Sequence, residues 1–162
     1  MIRPLGLPPR EPSIRGEDPL WLVDRPWGRV GIAICYDYDF PALAATYARL
    51  GAELVVVPAS DWAGVDPQHP WMARVRAVET GVPVVRPVRA ATSAVFDAYG
   101  RVRGWMPPTA FVEVVDVPVG RVDTLYTRVG DAPVTAFAAL LVGLALIAAG
   151  RARQSSTPSS RA

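Results

Sequence analysis

Lysine is absent from this sequence, and all 17 basic residues are Arg. Cysteine occurs once, at Cys35, and histidine once, at His69. A single Cys rules out an intrachain disulfide, so cysteine pairing says nothing about compartment. No cluster of residues has the spacing of metal ligands, and no metal or other cofactor is expected. The Gly-rich signals are too sparse for a phosphate-binding loop. A formal net charge of +2 is too small to point to a nucleic-acid partner. There is no internal repeat. The first residues, Met1 to Pro12, are rich in Pro and Arg and lack the apolar run of a signal peptide.

What remains reads as one α/β domain with an apolar tail. At 162 residues the chain can bury a core. Residues 1–20 read as a Pro-rich loop, because Pro4, Pro8, Pro9, Pro12 and Pro19 exclude a regular element. Trp21 to Val23 is a short strand, and Pro26-Trp27-Gly28 a turn. The run Val30 to Ile34 is almost entirely apolar, the pattern of a strand in a sheet covered on both faces. It ends at Cys35 and is followed by Tyr36-Asp37-Tyr38-Asp39-Phe40-Pro41. A helix from Pro41 to about Leu50 follows, with Pro41 in the first turn and Gly51 as its cap. Glu53 to Pro58 is the next buried strand, joined to the first by a parallel crossover.

Residues 59–70 read as a loop at the carboxyl edge of that strand, the edge where open α/β sheets bind ligands. A helix over Trp71 to Thr80 ends at Gly81. Pro83 to Val88 is a strand cut short by proline. Ser93 to Asp97 and Arg101 to Trp105 flank Ala98-Tyr99-Gly100 as a hairpin. Ala110 to Val117 alternates in part and reads as another strand. Residues 133–150 carry no charge and lie at the lower limit of the roughly 20 residues a spanning helix needs. They are expected to form a transmembrane helix. Arg151, Arg153 and Arg161 beyond it favour a cytoplasmic C-terminus. Residues 151–162 are expected to be a disordered tail.

A thiol at a strand–elbow–helix junction is lifted off the sheet near backbone N–H groups, which suits a nucleophile. The alternative is a small buried hydrophobe. The segment Gly28-Arg29-Val30-Gly31-Ile32-Ala33-Ile34-Cys35-Tyr36-Asp37, followed by Phe40-Pro41, resembles the nucleophile segment of the nitrilase (carbon–nitrogen hydrolase) superfamily. Pro58-Ala59-Ser60-Asp61-Trp62, then Gln68-His69, then Met72-Ala73-Arg74-Val75-Arg76-Ala77-Val78-Glu79-Thr80-Gly81 resembles its apolipoprotein N-acyltransferase branch, most like the C-terminal part. The resemblance implies half of an α-β-β-α sandwich over residues 21–125, followed by one membrane helix. It also implies a Cys nucleophile, a Glu base and a Lys for the oxyanion.

Cys35 matches the nucleophile, and the Tyr36 backbone N–H would lie toward the oxyanion. Asp37 stands where that branch usually has Glu. It either orients the site or the incoming amine, or caps the helix. Glu11 follows a Pro-rich segment, as does a second Glu of the family; its other reading is a solvated loop carboxylate. Arg3 lies in the neighbourhood of the Lys but has the wrong geometry and does not release a proton. Trp62 and His69 are expected at the substrate edge, Trp62 at a lipid interface or in ordinary packing. His69 is not expected to act as a base for Cys35. Glu79 is expected to pair with Arg76 or Arg86.

The resemblance further implies a phospholipid acyl donor, a lipoprotein amine acceptor and the inner membrane, with the catalytic domain extracytoplasmic. Only 34 residues precede Cys35, and there is no Lys. The expectation is therefore a fragment, inactive alone, with the N-terminal half missing. The competing readings are a nitrilase-like amidase and a non-catalytic, degenerate scaffold.

Overall fold

The computed structural model describes residues 21–108 and 112–155. The Pro-rich start with Arg3 and Glu11, and residues 109–111 and 156–162, lie outside the described residues. The chain opens with a hairpin, β1 (Trp21–Arg25) and β2 (Gly28–Ile32), turned at Pro26-Trp27. A single 3-10 turn, Cys35–Asp39, leads into α1 (Pro41–Arg49), which has Pro41 in its first turn. Next come β3 (Leu54–Val56), the short β4 (Ala59–Ser60) and α2 (Gln68–Thr80). Pro87 divides the following strand into β5 (Val84–Arg86) and β6 (Val88–Arg89). The second hairpin is β7 (Ser93–Phe96) and β8 (Val102–Met106). A short helix α3 (Leu125–Val129) precedes α4 (Ala132–Ser155).

Six strands form one mixed sheet in the order β1-β2-β3-β5-β7-β8. The inner strands β2, β3 and β5 run parallel, and the outer pairings are antiparallel. The second, two-stranded sheet of β4 and β6 continues the lines of β3 and β5 past Pro58 and Pro87. Each Pro lacks an N–H, so the ladder is interrupted at that residue and resumes one residue later. Helices α1 and α2 pack on one face. Tyr47, Ala48, Ala73 and Ala77 join Val55, Val57, Val84 and Phe96 in the core. Gly31 is required beneath α1, since a Cβ there would press into the Tyr47 ring.

Three expectations are corrected. The helix after the loop begins at Gln68, one turn before Trp71, so His69 is helical rather than in a loop. Residues 112–117 form no strand. Val115 and Val117 line a cavity of about 270 Å³ with Val85, Val95 and Met106, while Val112 and Val114 face outward. The alternation reported which side chains face the sheet, but the segment does not enter its ladder. Finally, α4 runs past Gly150 to Ser155, through the first five residues of the expected disordered tail. No proline interrupts it there, and the first one beyond is Pro158. Among the described residues α4 is the one helix long and apolar enough to cross a membrane, with its apolar side chains exposed.

Candidate active site

The parallel order of β2, β3 and β5 brings their carboxyl ends to one edge, and the site is assembled there. Cys35 follows β2. Its φ is +53°, a left-handed conformation uncommon for a residue with a Cβ. Its N–H is held by the Pro58 carbonyl at 2.9 Å. The strand is thereby turned sharply into the 3-10 turn and the thiol is set off the sheet, half-buried. Tyr36 is in the first turn of that helix, where a backbone N–H has no intrahelical acceptor.

Asp61 follows β4 and is fixed by its N–H to the Arg89 carbonyl at 3.2 Å. Its Oδ1 accepts from the Cys35 thiol at 3.8 Å and lies 3.2 Å from His69 Nδ1. Its Oδ2 lies 2.8 Å from Arg86 Nη1, a contact that is ionic rather than aligned along the N–H. His69 Nε2 faces Asp39 Oδ2 at 3.5 Å, and Arg86 Nη2 comes within 3.4 Å of His69 Nδ1. Four ionisable side chains, from the elbow, the residue after β4, α2 and β5, thus meet one another, and Asp61 reaches the thiol. Burial pushes the Asp61 carboxyl up, but the Arg86 guanidinium, and then His69, outweigh it and hold Asp61 below the ordinary carboxylate value. Asp39 is raised: burial is the main cause and Asp61 adds to it, against the pull of His69 and Arg86.

Cys35, Tyr36, Trp62 and His69 stand at this edge. The Tyr36 ring meets Phe40 edge-on at 5.3 Å, an exposed aromatic pair, and covers the buried His69 ring at 5.8 Å. Trp62 is exposed rather than packed in the core. Trp71, also exposed, stacks on Trp105 at 4.9 Å. Asp37 is exposed and lies outside the buried cluster, where Asp39 stands instead. His69 reaches Cys35 only through Asp61. Glu79 pairs with Arg76 at 2.6 Å, and Arg86 pairs with Asp61. Asp39, Asp61 and Arg86 are site residues that no sequence motif marks as such. Asp61 alone carried a signal, its place within Ser60-Asp61-Trp62.

Comparison with known proteins gives the family and the fold. The family profile for carbon-nitrogen hydrolases matches residues 4–127. The chain belongs to the carbon–nitrogen hydrolase family. Within this family it resembles apolipoprotein N-acyltransferases. It is 36% identical over 135 residues to that of Geobacter metallireducens, covering 78% of the chain and 25% of the relative. It is 40% identical over 127 residues to that of Gloeobacter violaceus, covering 74% and 24%. The chain therefore spans about a quarter of the length of these curated relatives.

An amidase of Nesterenkonia sp. AN1 has the same nitrilase-like α/β fold. The TM-score is 0.63 at 26% identity, over 75% of this chain and 50% of that one. In one variant of that amidase, the acetamide moiety of fluoroacetamide is covalently attached to the active-site cysteine. That variant matches with a TM-score of 0.53 at 25% identity, over 59% of this chain and 40% of that one.

Proposed function

We propose that this chain is part of a membrane-anchored N-acyltransferase that moves an acyl group from phospholipid to the N-terminal amine of an apolipoprotein through a Cys35 thioester. The observation that carries this reading is the position of Cys35: a half-buried thiol at a positive-φ elbow, at the carboxyl edge of the parallel strands. Similarity to acyltransferases over more than two-thirds of the chain, and the cysteine adduct seen in the related amidase, support it.

In the first step, Cys35 Sγ attacks the ester carbonyl of the phospholipid. The S–H proton passes to a base, the C–O bond breaks, and the lysophospholipid alkoxide takes up the proton. In the second, the lipoprotein amine attacks the thioester. The C–N bond forms, the C–S bond breaks, and the proton lost by nitrogen returns to sulfur. The Tyr36 N–H stabilises the oxyanion. Asp37, exposed two residues past the nucleophile, faces the incoming amine. The sequence holds no Lys, so the oxyanion cation comes from chain outside these 162 residues. The 162 residues by themselves are therefore inactive.

Helix α4 spans the inner membrane, with the Arg-bearing C-terminus in the cytoplasm and the catalytic domain outside. Tyr36, Phe40 and Trp62 form the edge that meets acyl chains.

The test is to incubate source-cell membranes with a phospholipid carrying an alkyne-tagged acyl chain and a diacylated lipopeptide. The expected products are the triacylated lipopeptide and a hydroxylamine-labile acyl group on the Cys35 peptide, both lost in Cys35→Ala. The second reading, an amidase, is favoured by the solved amidase neighbours. Release of free acid from amides, with no acylated lipopeptide, would establish it and overturn the first.

A further inference from the structure

Asp61 is the most deeply enclosed acid of the site. Its side chain is 0% exposed, yet Oδ1 is directed at the half-buried thiol. A buried carboxylate survives only when paired, and Arg86, itself 1% exposed, supplies the charge. His69 contributes a second contact and links Asp61 to Asp39, the last residue of the turn that Cys35 begins. Both ends of the elbow are thereby tied to β4, α2 and β5. The titratable and charged groups that face Asp61 are Arg86 from β5 and His69 from α2, with Asp39 beyond His69.

A carboxylate only accepts hydrogen bonds, so a sulfur in contact with it must present its S–H. A negative charge on Sγ would stand 3.8 Å from the Asp61 anion, which is unfavourable. We propose that Asp61 is a positioning residue for the nucleophile. Its Oδ1 accepts the Cys35 S–H and holds the thiol in one orientation, while Arg86 and His69 hold the carboxylate. This rests on the reading of Cys35 as the acyl-transfer nucleophile. Reaction begins when the proton is drawn from sulfur to the base and the contact with Asp61 is given up.

The test compares iodoacetamide alkylation with acyl transfer in the native, detergent-solubilised membrane protein. In alkylation the S–C bond forms, iodide leaves, and the thiol proton goes to buffer. With the anion removed in Asp61→Asn, Cys35 is expected to alkylate severalfold faster at neutral pH. Acyl transfer should change in the opposite sense, with kcat lowered and KM unchanged. Asp61→Glu should restore part of the wild-type behaviour in both assays. Because Asp61→Asn leaves a buried guanidinium unpaired, the double variant Asp61→Asn/Arg86→Gln is measured beside it, with thermal melting as the check on folding.

A folded double variant that alkylates at the wild-type rate would overturn the proposal and leave Asp61 as a counter-ion of Arg86. Faster alkylation without acyl transfer in any protein, wild type included, would overturn the acyltransferase reading while supporting the hold on the thiol.

Discussion

The N–H of Val122 donates to the carbonyl of Gly81 at 2.8 Å, which pins the extended segment after β8 to the end of α2. Gly81 closes that helix at φ +65°, and its own N–H bonds Ala77 O at 2.8 Å. Thr124 Oγ1 donates to the Glu79 carbonyl, two residues before Gly81, and also accepts from Thr127 N–H as the cap of α3. The segment that leads toward α4 is therefore fastened to the helix that carries His69.

Gly81→Ala should destabilise the domain by about 2 kcal/mol or more. A Cβ at this position is strained by its φ and would also run into the Val122 carbonyl oxygen. Chemical denaturation measures the difference. A loss below about 0.5 kcal/mol, the range of an unremarkable surface change, would mean that neither effect operates.

Cys35→Gly should be more stable than Cys35→Ala by about 1 kcal/mol, because glycine adopts the positive φ of the elbow without a Cβ conflict. Both variants should lack acyl transfer. Equal melting temperatures would show that the elbow stores no strain.

Asp97 organises the β7–β8 turn. Its Oδ1 accepts from the N–H groups of Tyr99 and Arg101, both at 2.9 Å, and its Oδ2 accepts from Arg103 Nη2 at 2.8 Å. Burial pushes this carboxyl up, but those donors outweigh it and hold it below the ordinary value. A depressed folded pKa stabilises above the unfolded value, about 3.9, and the contribution is lost as pH falls through the folded one. Asp97→Asn should therefore cost about 1–3 kcal/mol at neutral pH. The gap to wild type should narrow below about pH 4. The same penalty at pH 3 and pH 7 would remove charge as its source.

Leu141→Arg tests α4. Leu141 lies near the centre of the apolar stretch Ala132–Ala149 and is exposed. In a spanning helix an Arg there opposes insertion by about 2.5–3.5 kcal/mol. The variant should shift from the detergent-requiring membrane fraction to the soluble or degraded fraction. Unchanged fractionation would argue against a spanning helix.

The elements around Cys35 were legible because each has a local cause. A β-branched run makes β2, Pro41 opens α1, Gly81 closes α2, and Tyr99-Gly100 turns the second hairpin. The start of α2 was less so: the Pro, Gly and Asp between Trp62 and Pro70 read as loop, yet the helix begins at Gln68. Residues 112–117 misled because alternation records which side faces a sheet, not whether a strand is paired.

The chain's own order of residues thus determined the elbow, its lone thiol, the apolar final helix and the absence of any Lys. Only the tertiary structure decided what surrounds the thiol. Asp39, Asp61, His69 and Arg86 come from four separate stretches, the elbow, the residue after β4, α2 and β5, and nothing in their linear order brings them together. Parallel strands bring their ends together, burial removes the water, and the charges must then neutralise one another. That requirement acts across space, so no local pattern in the sequence records it.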